Sequence, residues 1–233
     1  MLKLTPRSLV ALPVVYAATP VAAAAAIVGE FTTGGDSADR VARVWARAVA
    51  ASMGMTLTAV GTDRIDPSRS YVVVSNHQSH LDTIALVLSS PVPLRMLAKK
   101  SLFYIPVFGQ AMRVVGHIPI DRQKGKTDFA ALARHCERLR ARGRSIMVFP
   151  EGTRQNDGTL HEFKSGAFRI ATSLGLPVVP VAIRGTGAVL PPHSLAVTPG
   201  EVRIEWLDPI PSEGADPDEL MAVVHDVIAG SLS

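Results

Sequence analysis

From Ser8 through Gly29 no side chain carries a charge, and an uncharged run of ~20 residues is long enough to cross the hydrocarbon core of a bilayer as a helix. Lys3 and Arg7 precede it, Pro13 and Pro20 interrupt it, and alanines fill positions 22 to 26. Three readings are open: a secretory signal peptide cleaved near Ala22-Ala23-Ala24, a spanning helix, or a helix bent at proline that enters the membrane without crossing it. The next segment bears on the choice. In Asp36 to Met53, Val41, Val44, Trp45, Ala48 and Val49 recur at helical spacing, while Arg40, Arg43 and Arg47 gather on the other face. A basic face opposite an apolar one carrying a Trp suits a helix in the interface of an anionic membrane, and a surface helix packed on its own domain has the same pattern. Beside the apolar run the membrane reading gains. Residues 1 to 54 are read as membrane-attachment helices and 55 to 233 as a soluble α/β domain.

Of the 233 residues, 47% are hydrophobic and 19% charged, enough for a substantial core and inconsistent with a mainly disordered chain. The excess of Lys and Arg over Asp and Glu gives a net charge of +4, a mild preference for anionic partners that does not imply nucleic acid. Aromatic residues make up only 5%, which argues against a platform for stacking bases. The single cysteine, Cys136, excludes an intrachain disulfide and a cysteine-rich metal cluster. It falls with Phe129, Leu132 and Leu139 on the apolar face of a helix over 127 to 142 and reads as core.

Tyr71 to Ser75, Ser145 to Phe149, Val178 to Ile183 and Val202 to Leu207 read as buried strands, and the first leads into a helical pattern ending at Leu88. The chain closes with a helix that Asp216 caps, Pro217 starts and Gly230 ends, with Leu220, Val223, Val224, Val227 and Ile228 as its buried stripe. Arg184 to Gly200, rich in glycine and proline, reads as a loop.

The chemistry lies where strands end. Asn76-His77-Gln78-Ser79-His80-Leu81-Asp82 joins a strand to a helix, the place where α/β folds collect functional groups. Ser79-x-x-Asp82 is also a helix-capping pattern, so Asp82 has a purely structural reading. His77 and Asp82 are five apart and would diverge on a regular helix. They meet if Ser79 caps the helix and His77 folds back over the first turn. A carboxylate on one ring nitrogen then fixes the tautomer and leaves the other nitrogen as a base. As metal ligands, His77, His80 and Asp82 have the wrong spacing, and no Walker loop, G-x-G-x-x-G turn or G-x-S-x-G elbow occurs. A second block, Phe149-Pro150-Glu151-Gly152-Thr153-Arg154, follows another strand and offers a close backbone approach at Gly152 and a planar fork of donors at Arg154. Arg122 in Gly116 to Arg122, and Lys99-Lys100, add cationic loops suited to an anionic substrate.

These blocks, N-H-x-x-x-x-D followed by F-P-E-G-T-R, resemble the 1-acylglycerol-3-phosphate acyltransferase (lysophosphatidic acid acyltransferase) family, over residues 70 to 210. The resemblance also covers Lys99 to Gly109, Gly116 to Arg122, with Pro119 a departure, and Val178-Val179-Pro180-Val181. It implies one glycerolipid-acyltransferase-like α/β domain, a mixed central sheet flanked by helices, behind an N-terminal two-helix membrane motif. It implies O-acyl transfer from acyl-CoA or acyl carrier protein to 1-acylglycerol 3-phosphate, making phosphatidic acid, with no cofactor or metal, at the cytoplasmic face of the inner or plasma membrane. His77 would be the general base and Asp82 its orienting partner. Arg154 and Arg122, supported by Lys99, would hold the acceptor phosphate, with Glu151, Gly152 and Thr153 shaping the pocket. The alternatives are the same chemistry on a lyso-ornithine lipid or glycerol 3-phosphate, or a non-catalytic membrane lipid-binding protein.

Overall fold

The computed structural model describes residues 4–33, 36–120, 129–154 and 159–233. The elements are Pro6–Thr33 (α1), Asp36–Met53 (α2), Met55–Val60 (β1), Val72–Ser75 (β2), Leu81–Ser89 (α3), Leu94–Lys99 (β3), Phe108–Val115 (α4) and Ile118–Ile120 (β4). Phe129–Arg140 (α5), Ser145–Val148 (β5), Gly166–Leu174 (α6), Val178–Arg184 (β6), Thr186–Val189 (α7), Gly200–Trp206 (β7) and Pro217–Leu232 (α8) follow. The strands form one mixed sheet in the order β1-β7-β6-β2-β5-β3-β4, in which only the β6–β7 pair is antiparallel. Strands covered by helices on both faces have no reason to alternate. Val72, Val73, Val74, Ile146, Val178, Val179 and Val181 are accordingly almost fully buried. One core lies under α2 and α3, and a second under α5, α6 and α8.

Cys136 sits in the second core, where burial pushes its thiol up to about 12. In α8, Asp216 Oδ1 accepts the amides of Asp218 and Glu219 at 2.9 and 3.1 Å, as the capping pattern requires. The helix runs past Gly230 to Leu232, because glycine ends a helix only where a left-handed turn follows. Its buried stripe is narrower than the pattern suggests: Leu220, Val224 and Ile228 are inside, while Val223 and Val227 face outwards. The loop expected at 184 to 200 contains the short α7.

The N-terminal helices share the first core. Ala11 of α1 and Ala46, Val49, Ala50 and Met53 of α2 pack in the same cluster as Val73, Val181 and Ile183 of the sheet. In α2, Arg43 turns inwards and donates to Ser90 O at 2.9 Å, while Val44 is exposed. The strongest tie is ionic. Arg95, near the start of β3 and 2% exposed, donates to Val115 O at 2.6 Å and meets Asp39 of α2 at 2.7 Å. The other oxygen of Asp39 holds Arg144, just before β5, at 2.9 Å. One carboxylate thus neutralises two buried or nearly buried guanidinium groups.

Removing Asp39 leaves the Arg95 guanidinium without its carboxylate in a low-dielectric setting. Asp39→Ala should lower unfolding stability by about 3–5 kcal/mol, whereas Asp36→Ala, which touches only Arg144 from an exposed position, should cost about 0–1 kcal/mol. Denaturant midpoints of the detergent-solubilised variants measure the difference.

Candidate active site

Register builds the site. Val74 of β2 lies beside Val148 of β5 and Pro180 of β6, all parallel. The residues that follow each strand therefore emerge together at the carboxyl edge of the sheet. His77 and Glu151 meet because they leave neighbouring strands at matching heights. The His77 ring stacks on Phe149 with centroids 3.9 Å apart and planes inclined by 11°. The His77 amide donates to Glu151 Oε1 at 2.7 Å. Asn76 continues the β2–β6 ladder with its side chain, donating to Ile183 O at 2.9 Å and accepting from Ile183 N at 2.8 Å.

The turn after Asn76 brings His77 back over the start of α3. Its Nδ1 lies 2.7 Å from Asp82 Oδ2. The same oxygen accepts the amides of Gln78 and Ser79 at 2.7 and 2.8 Å, and Oδ1 accepts the Thr186 hydroxyl. The structural and chemical readings of Asp82 are thus both realised by one buried carboxylate. Helix α3 starts one residue later than the pattern suggests, with His80 at the capping position. The Ser79 hydroxyl instead accepts from Leu81 N at 3.1 Å and donates to Leu190 O at 2.7 Å. Since Asp82 is an acceptor for every partner around it, the proton between it and His77 belongs on Nδ1, leaving Nε2 with a free lone pair. The His77 side chain is 13% exposed and that of Asp82 is fully buried.

The other expected residues divide. Glu151 is buried with its carboxylate turned into the turn, where Oε2 also accepts the His161 amide at 3.4 Å. Burial pushes its pKa up, against the two amide hydrogen bonds that lower it. Gly152 has φ 76°, a conformation that favours glycine, and a Cβ there would stand 3.0 Å from Lys164 Nζ. Thr153 is exposed and Arg154 half-buried. Arg154 is close enough to His80 that its charge, after partial desolvation, helps push that ring down to about 4. Lys99 ends β3 at the same carboxyl edge, two strands from β2, and is exposed. Arg122 lies outside the described residues.

A cavity of about 380 Å³ opens beside this turn, lined by Leu97, Leu132, Val148, Phe149 and Ile170 together with Gly152, Lys164 and Arg169. Phe149 thus supports His77 on one side and an apolar space on the other. Thr186 was not foreseen from sequence. It follows β6 in Gly185-Thr186-Gly187 and carries no local pattern; only the neighbouring of β2 and β6 brings its hydroxyl to Asp82.

Comparison with known proteins agrees with this architecture. The family model described as Acyltransferase matches residues 56–184. The chain is 42% identical over 146 residues to the chloroplastic 1-acyl-sn-glycerol-3-phosphate acyltransferase BAT2 of Brassica napus, covering 62% of this chain and 42% of that protein. It is 32% identical over 174 residues to the human 1-acyl-sn-glycerol-3-phosphate acyltransferase alpha, covering 75% of this chain and 62% of that protein. The chain thus spans between about two-fifths and three-fifths of the length of these relatives. The crystal structure of the 1-acyl-sn-glycerophosphate acyltransferase PlsC from Thermotoga maritima has the same fold, with a TM-score of 0.83 at 23% identity over 97% of this chain and 93% of that one. With both motif blocks inside the matched region and more than half its length covered, the chain belongs to the Acyltransferase family.

Proposed function

We propose that this protein is an O-acyltransferase that moves a fatty acyl group from an acyl thioester, acyl-CoA or acyl carrier protein, to the free hydroxyl of 1-acylglycerol 3-phosphate, forming phosphatidic acid. The observation that carries the reading is the contact of His77 Nδ1 with the buried, four-fold hydrogen-bonded Asp82. In this mechanism the acceptor hydroxyl gives its proton to His77 Nε2 as its oxygen attacks the thioester carbonyl carbon. Asp82 stabilises the imidazolium that forms. Collapse of the tetrahedral intermediate breaks the C–S bond, and the imidazolium returns the proton to the departing thiolate. The product is an ester and a free thiol, so atoms and charge balance without an enzyme-bound acyl group. Arg154, with Arg122 and Lys99, would hold the acceptor phosphate, and Gly152 and Thr153 would border the pocket. Glu151 would set the height of His77 through its backbone. The names of the relatives above and the apolar cavity against Phe149 support a lipid substrate.

We further read the protein as bound to the cytoplasmic side of a cell membrane, the inner or plasma membrane, with residues 1 to 54 as the attachment and 55 to 233 as the acyltransferase domain. α1 is long and apolar enough to cross a bilayer, yet it is fastened along its length. Ser8 Oγ bonds Leu195 O and Val197 N at 2.7 and 3.0 Å, Thr19 accepts from Trp45 Nε1 at 3.1 Å, and Glu30 lies 3.7 Å from Arg142. A helix tied to the domain at both ends offers lipid one face, which favours burial in one leaflet over a crossing.

Three outcomes test the proposal. His77→Ala should lower turnover by about 10²–10⁴-fold while the fold persists; near-normal rates from a folded variant would remove His77 from the mechanism. Arg154→Lys keeps the charge and loses the fork. It should raise KM for 1-acylglycerol 3-phosphate and leave that for the thioester alone, and equal impairment with an acceptor lacking phosphate would refute the clamp. In membrane preparations, high salt should fail to release the protein and detergent should succeed, because apolar burial is insensitive to screening.

A further inference from the structure

Between β3 and α4 the chain makes a turn that the active site does not use. Tyr104, Ile105 and Val107 are 66%, 45% and 40% exposed there. The turn is stiff. Val107 sits at φ 64° and ψ −52°, with the Phe108 amide donating to Pro106 O at 2.7 Å. That geometry is a γ-turn of the rare, strained kind, and it is held by a β-branched residue. The base of the turn keeps the tip out: Phe103 is buried, and Gly109 packs so closely on it that a Cβ would stand 2.3 Å from Phe103 O. Strain is therefore borne by a residue whose side chain gains little burial within the chain. Such strain is maintained where it serves a contact.

The surroundings indicate the partner. Lys99, Lys100 and Arg113 flank the turn and are exposed, giving an apolar tip with a cationic collar. Phe108 and Met112 of α4 face Thr19, Ala22 and Ala26 of α1 across a small apolar pocket, so the turn stands beside the middle of α1. The outward side chains of that helix, Tyr16, Val21 and Val28, are 76%, 70% and 62% exposed.

We propose that the turn at residues 104 to 107 is a second membrane contact, a wedge that enters an anionic bilayer beside α1, with Lys99, Lys100 and Arg113 at the level of the lipid phosphates. The inference rests on reading α1 as membrane-embedded. A lipid surface fits both parts of the patch, since the tip is apolar and the collar complements anionic headgroups. Two contacts that are not collinear fix the tilt of the domain. Lys99 ends a strand at the edge of the sheet that carries His77, so the wedge turns that edge towards the bilayer.

The test uses the full chain with single cysteines introduced by Ile105→Cys, Tyr16→Cys or Glu213→Cys and labelled with an environment-sensitive fluorophore; Cys136 is buried. Vesicles are phosphatidylglycerol and phosphatidylcholine carrying a spin-labelled lipid, with phosphatidylcholine alone as a second arm. The label at 105 should shift to the blue and be quenched, more strongly with the anionic vesicles, and the label at 213 should not respond. Ile105→Asp should weaken vesicle partition about ten- to hundredfold and leave turnover of detergent-dispersed acceptor unchanged. Quenching at 16 with silence at 105 would overturn the wedge and leave the α1 reading standing. Silence at both would overturn the α1 reading and the wedge with it. A blue shift at 105 on concentrating the protein without vesicles would assign the patch to a second copy of the chain and overturn the proposal.

Discussion

A buried carboxylate has to be surrounded by donors, and the architecture of the carboxyl edge follows from how Asp82 meets that demand. Its donors come from three places: the turn after β2 gives two amides, His77 gives a ring nitrogen, and the segment after β6 gives the Thr186 hydroxyl. The Thr186 bond is possible only if β2 and β6 run parallel at the observed register, which the Asn76 side chain reinforces by pairing with Ile183. The charge that holds the His77 ring is therefore also the charge that fixes the loop. A carboxylate held by four donors has little freedom to reorient, so His77 is presented in one position, as a positioned base requires.

Much of this was legible in the chain before its folding was known, for a physical reason. Strands buried on both faces must be continuously apolar, so Val72 to Val74 and Val178 to Ile183 announce themselves. The meeting of His77 and Asp82 was legible too, because only a pre-helical histidine can reach a first-turn acid five residues on. What stayed hidden is of another kind. β3 carries Arg95 near its start, and a buried charge in an interior strand makes sense only once Asp39, far off in the sequence, lies beside it. Thr186 likewise has no local signature, and its role is created by strand order. In α8, Val223 and Val227 fit a helical period that packing does not use. Long-range ionic and hydroxyl contacts carry no periodicity, so a sequence reading resting on periodicity passes over them.

The arginine pair has a further meaning for organisation. Arg95 and Arg144 precede or lie in neighbouring strands β3 and β5, and both are neutralised by an acid from α2. The sheet is thus electrically incomplete without the N-terminal helices, and its first core is incomplete without Ala46, Val49, Ala50 and Met53. A segment that reads by composition as an anchor is, by packing, part of the scaffold that carries the edge with His77 and Asp82. Movement of the helices at a lipid surface would be felt directly in β3 and β5.

The lone cysteine closes the chemistry in a different sense. The proposed transfer from a thioester would release a thiol at every turnover, and thiols exchange readily with accessible protein thiolates or disulfides under oxidising conditions. Here the one thiol is enclosed between α5 and the sheet, and burial holds it up at about 12, which keeps thiolate scarce. Under the proposed reaction, the protein would offer the departing thiol no accessible partner for a mixed disulfide.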